Sequence, residues 1–168
     1  MKKSFGVRGF SLVELLVVIG IIGILAATIA VSLQGAKKSG RDARRVADIR
    51  GIVNALLIYY NEHGEYPPAP VVNLVLDNSQ QLCMGGADPG WRNGNCDADQ
   101  DRLLQAPGAP NPPDNPLGSN TCDATNNPYI YNQTNGGSGF EVSFCLGGKT
   151  GEFQEGTCIA DDESIHCP

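Results

Sequence analysis

The sequence predicts an α+β protein, with one long N-terminal helix, its first half transmembrane, packed on a small antiparallel β-sheet head with disulfide-closed loops. Three observations carry that expectation. A run of 24 residues, 10–33, holds a single charge, Glu14, and leads into apolar residues at helical spacing. Residues 129–146 alternate apolar and polar on both sides of "NGGSG", the mark of a hairpin. All six cysteines lie in the distal part, where residues are rich in Gly, Pro, Asn and Asp.

Residues 1–9, "MKKSFGVRG", form a short basic leader ending in Gly. A secretory signal peptide would place its apolar run before a small-residue cleavage site and lose that run on cutting. Here the only leader-like cut precedes the apolar run, so the membrane segment stays attached.

Residues 10–33, "FSLVELLVVIGIIGILAATIAVSL", are long enough to span a bilayer, which takes about 20 residues of helix. Without water the backbone must satisfy its own hydrogen bonds, so helix is forced despite the β-branched Val and Ile. Gly20 and Gly23 are small positions suited to close helix approach.

The helix is expected to continue as an amphipathic extension over 34–64. Val46, Ile49, Val53, Leu56 and Tyr60 form a stripe that Ile52 and Leu57 broaden. Gly64 suits the first position beyond the helix, and Pro67 stops any continuation. From Phe10 to about His63 such a helix runs roughly 80 Å.

The head occupies 65–168. Short helical pieces are expected around Asn73–Leu82 and Asp99–Gln105, then the hairpin, then a strand through Thr157–Ala160. Tyr129 and Tyr131 share one face, as do Phe140, Val142 and Phe144, and the helix stripe is their natural cover. So small a core is expected to rely on its disulfides.

Charge is segregated. The leader carries Lys2, Lys3 and Arg8, and the extension carries Lys37, Lys38, Arg41, Arg44, Arg45 and Arg50. From Tyr66 onward three basic residues face thirteen acidic ones, a formal −10. Nucleic acid is therefore not an expected partner of the head, because phosphate binding needs clustered Lys and Arg. The basic residues of the extension are expected to pair with acidic heads or to solvate the helix, with DNA or anionic headgroups as the alternative. By flank charge alone the six basic residues of 37–50 against three in the leader would put the N-terminus outside. The leader and the cysteines instead put the head outside, and long domains translocate largely regardless of charge.

Cys83, Cys96, Cys122, Cys145, Cys158 and Cys167 include no C-x-x-C pair, which argues against zinc and redox sites and for disulfides in an oxidising compartment. "CMGGADPGWRNGNC" and "CLGGKTGEFQEGTC" share their Cys spacing, a Gly pair, an aromatic at the ninth position and a closing G-x-C. That echo favours Cys83–Cys96 and Cys145–Cys158, leaving Cys122–Cys167; the alternative is coincidence between Gly-rich loops.

The basic peptide ending in Gly9, then "FSLVE" and the apolar run, then a charged helix ending in "YYNEHGEYP", resembles the type IV prepilins and type II secretion pseudopilins over residues 1–67. Beyond residue 67 only the plan of helix then antiparallel sheet is similar. The resemblance implies the pilin fold and a membrane-embedded prepilin peptidase that cuts between Gly9 and Phe10 and methylates the new Phe10 amine. It further implies an inner-membrane assembly platform and a homo-oligomeric helical filament with the N-terminal helices inside. Before assembly the chain would be held in the inner, cytoplasmic membrane with its head outside the cytoplasm. Glu14 is implied to pair with the Phe10 amine of a neighbouring subunit, which fits the rule that an acid in a membrane helix marks function.

Other chemistry is sparse. Asp97, Asp99 and Asp101 match the first acids of a calcium loop, but Arg102 stands where Gly is required and Gly108 where the bidentate Glu belongs. A solvated acidic loop is expected there and at Asp161–Glu163, with a structural calcium, known in some major pseudopilins, as the alternative. His63 and His166 are expected on the surface, and Trp91 inside its own Cys-closed loop. No catalytic motif appears, so no enzyme and no cofactor are expected. The competing classes are a binding module, as a minor or tip pilin or a DNA-uptake pseudopilin, and a single-pass anchored domain that never polymerises.

Overall fold

The computed structural model describes residues 11–85, 89–94, 96, 102–108 and 128–167, with the side chains of 29–34 outside the description. The chain divides into two compact units, residues 1–37 and 38–168. Helix α1, Leu12–His63, contributes to both.

Ser11 starts α1. Its carbonyl accepts from the Leu15 amide at 3.2 Å, and its own amide donates to Glu14 Oε2 at 3.0 Å, half of a capping box. The other end closes as expected on Gly64, whose φ of 74° is left-handed and whose amide donates to the Tyr60 carbonyl at 2.8 Å. In the first unit the described side chains run exposed all round, from Leu12 through Leu25. Among the described residues no helix is long and apolar enough to cross a membrane. The described side chains of the 24-residue run end at Thr28, so the expected span rests on the sequence.

In the second unit α1 buries Val46, Ile49, Ile52, Ala55, Leu56 and Tyr59. Tyr59 takes the place expected for Tyr60. Positions three and four beyond Leu56 compete for the same face, and Tyr60 lies at the rim against the Tyr66 ring, 4.7 Å away.

The covered sheet has five antiparallel strands in the order β1-β5-β6-β7-β8: Leu74–Leu76, Tyr129–Thr134, Gly139–Leu146, Gly156–Ala160 and Ile165–His166. Its inward face follows strand alternation. Leu74 opposes Tyr131, Tyr131 opposes Val142, Val142 opposes Ala160, and Phe144 opposes Cys158. The hairpin between β5 and β6 turns through Asn135, Gly136 and Gly137, all at positive φ.

A second sheet was not expected. It orders β3 (Gly90–Asn93), β2 (Gln80–Cys83) and β4 (Arg102–Gln105) as β3-β2-β4. These strands correct the helical pieces expected around Asn73–Leu82 and Asp99–Gln105. Leu74, Val75 and Leu76 alternate buried, exposed, buried, a period of two that a helix cannot satisfy. The chain then breaks at Asp77, whose Oδ1 accepts from the Ser79 amide at 2.7 Å, an Asx turn that competes with helix. Gly90 has a reason to be glycine: φ is 123°, and a Cβ there would come within 3.2 Å of Pro68.

Candidate assembly segment and head anchor

Two groups of residues stand out. The first is the start of α1, where Glu14 is the one charged residue of the apolar run. Its carboxylate receives the Ser11 amide, so it is held along the helix start by its own chain. Around it Leu12, Val13, Leu15, Leu16, Val17 and Val18 are all exposed. Gly9 and Phe10, the expected cleavage and methylation site, lie outside the described residues.

The second group fastens α1 to the end of β6. Arg45 is fully buried and its Nη1 donates to the Cys145 carbonyl at 2.9 Å. One turn earlier, buried Asp42 accepts the Gly147 amide on Oδ1 at 3.1 Å. One turn later, the Tyr129 hydroxyl donates to Asp48 Oδ2 at 2.9 Å, with Arg44 Nε 3.7 Å from the same oxygen. Burial lowers the Arg45 pKa from its ordinary value, opposed by Tyr129 and Asp42. Burial likewise raises the Tyr129 phenol, reinforced by the Asp48 charge and hydrogen bond. Arg45 thus departs from the expectation that the basic residues pair with other heads or stay solvated: it ties its own head to its own helix.

The cysteines are partly rearranged. Cys83 is joined to Cys96, and the Cys96 amide donates to Gln81 Oε1 at 3.1 Å. The expected Cys145–Cys158 and Cys122–Cys167 pairs are replaced, because Cys158 is joined to Cys167. The sheet register explains it. Cys145 opposes Thr157 while Cys158 opposes Phe144, so the two side chains leave opposite faces of the hairpin and cannot meet. Ile159 opposes His166, and one step further along that register brings Cys158 opposite Cys167. Cys145 is also disulfide-bonded; Cys122 lies outside the described residues.

Asp97, Asp99 and Asp101 lie outside the described residues as well. Asp161 Oδ1 accepts the amides of Glu163 and Ser164 at 3.0 and 2.8 Å, so it closes a turn. Among the described residues no group of three or more His, Cys, Asp and Glu is placed to hold a metal ion. His63 stacks on Tyr59 with ring centroids 4.0 Å apart. Trp91 is buried against Tyr131 at 5.7 Å.

Comparison with known proteins agrees with this picture at the N-terminus. The family profile described as "Prokaryotic N-terminal methylation motif" matches residues 5–30. The type II secretion system core protein G of Escherichia coli (strain K12) is 42% identical over 67 residues, 40% of this chain and 46% of that protein. The protein of the same description from Vibrio cholerae serotype O1 is 39% identical over 67 residues, with the same coverage of 40% and 46%. A fimbrial protein of Neisseria meningitidis serogroup B is 37% identical over 60 residues, 36% of this chain and 35% of that protein. The chain thus spans less than half the length of each of these relatives. No solved structure matches it. Over its N-terminal residues, then, the chain carries the methylation motif and is similar to type II secretion core proteins G and to a fimbrial protein.

Proposed function

We propose that the chain is a structural subunit of a type IV pilus-like or type II secretion pseudopilus filament. In this reading it is cut between Gly9 and Phe10 by a prepilin peptidase, methylated at Phe10, and handed from the bilayer to an inner-membrane assembly platform. The observation that carries the proposal is an exposed, all-round apolar helix start whose single carboxylate, Glu14, rests among the described residues on its own Ser11 amide.

Magnitudes favour an exchange of partners at Glu14. A hydrogen bond to a charged group is worth about 1.5–3 kcal/mol net. A neighbour's amine about 4 Å away returns about 4 kcal/mol at an effective dielectric constant of 20. Cleavage creates such an amine at the depth of Glu14, so the amine displaces the amide and draws a second apolar helix alongside.

The test is Glu14→Ala in cells that carry a prepilin peptidase and an assembly platform. The expected outcome is unchanged conversion to a form starting at Phe10, with filament yield lowered by about tenfold or more, the effect of removing at least 1.4 kcal/mol. Normal filaments from the variant overturn the role of Glu14. Failure of the unaltered chain to be cut favours an anchored domain that does not polymerise. Cutting followed by scarce incorporation, confined to fibre ends, favours a tip or binding module.

A further inference from the structure

The second unit is electrically polarised along α1. Arg44, near the start of the unit's stretch of α1, and Arg50, near its middle, have side chains 63% and 61% exposed. Their ion pairs within the head are long, Arg44 Nε to Asp48 at 3.7 Å and Arg50 Nη2 to Glu152 at 3.9 Å. Exposed pairs of this kind contribute at most about 1 kcal/mol and yield readily to a better partner.

At its C-terminal end the helix closes on carboxylates. Glu62 and Glu65 flank its last turn, whose one basic residue is His63, and both are exposed. The turn held by Asp161 projects Asp162 and Glu163, also exposed, toward the same end. After burial, the next influence raising the Tyr59 phenol is the charge of Glu65, and for Tyr66 it is that of Asp162. Tyr66 in turn lies against Tyr60. Carboxylates at a helix C-terminus sit against the negative end of its dipole, each an unfavourable placement by about 0.3–1 kcal/mol. Among the described residues no ion pair involves Glu62, Glu65, Asp162 or Glu163, and cations from outside would relieve that cost.

We propose that a second copy of this chain supplies those cations: the Glu62, Glu65, Asp162 and Glu163 end of one head seats on Arg44 and Arg50 of another. The contact is heterologous, since the acidic end of each copy meets the basic face of the next, and such contacts propagate into fibres instead of closing into dimers. From Arg44 and Arg50 to Glu62 the helix rises about 27 and 18 Å, which sets the axial stagger between contacting copies. The inference rests on the filament reading and adds the surface by which the heads recognise one another.

Charge exchange in the full chain, expressed with its assembly machinery, tests it. Arg44→Glu with Arg50→Glu, and separately Asp162→Lys with Glu163→Lys, are each expected to lower filament yield by about tenfold, since like charges then face each other. All four changes together are expected to restore yield to within about threefold of the original, because the pairing is inverted but intact. Protease resistance of the head in each variant separates misfolding from lost contact, and a resistant head with normal yield after either reversal overturns the inference. So does a quadruple variant no better than its parents. Absence of filaments from the unaltered chain overturns the filament reading itself.

Discussion

Arg45 shows how one residue changes meaning when its surroundings are known. In the sequence it is one of six cations in a basic stretch. In the head it is fully buried, with its guanidinium on the carbonyl of Cys145, a hundred residues away. Only a long-range contact distinguishes it from Arg44, its exposed neighbour, so no local pattern reveals it. Arg45→Ala leaves the Cys145 carbonyl and the Asp42 carboxylate in a dry site without their cation. Removing one partner of a buried ionic group costs about 3–5 kcal/mol. Chemical denaturation of the variant should show a loss of that size, while Arg44→Ala should move stability by less than about 1 kcal/mol. Glu14 is the opposite case. A lone acid in an apolar run is visible without any structure, because its environment is the run itself.

Among the elements, α1 and the β5–β6 hairpin were legible because their signals are local. The apolar period, Gly64 and the "NGGSG" turn each act within a few residues. The strands of 74–83 were not, since Leu74–Leu76 is three residues long and its alternation gains meaning only opposite β5. The same limit governs the cysteines. "CMGGADPGWRNGNC" and "CLGGKTGEFQEGTC" match in spacing, yet register sends Cys145 and Cys158 to opposite faces. Digestion without reduction should therefore yield a peptide pair joined through Cys158 and Cys167; one joined through Cys145 and Cys158 would refute the register. Replacing Cys158 and Cys167 together by Ser should cost about 2–3 kcal/mol, as expected for a short closed loop.

At the scale of the whole head, two buried phenols link stability to pH. Burial raises Tyr129 and Tyr131 well above the ordinary 10.0, and the Tyr131 hydroxyl donates to the Pro67 carbonyl at 2.7 Å. Below pH 10 both states keep these protons and stability does not depend on them. Above it the unfolded chain loses protons that the folded head retains, so stability falls by up to about 1.4 kcal/mol per phenol for each pH unit. Thermal unfolding followed from pH 8 to 11 should show a flat region and then a steep decline. Tyr129→Phe should make that decline shallower, whatever its effect at neutral pH.

The three ties between α1 and the head, through Asp42, Arg45 and Asp48, occupy two successive turns of one helix. They cross from helix to sheet side by side, so a pull along α1 stretches all three together as a shear and does not peel them one at a time. A fibre made of such subunits would carry tension along its helices and hand it to the heads through that short band. Beyond the band, Cys158–Cys167 locks β8 to β7 by a covalent bond. The C-terminal strand is thus held to its neighbour by a covalent bond, while α1 is held to the sheet by non-covalent contacts alone among the described residues.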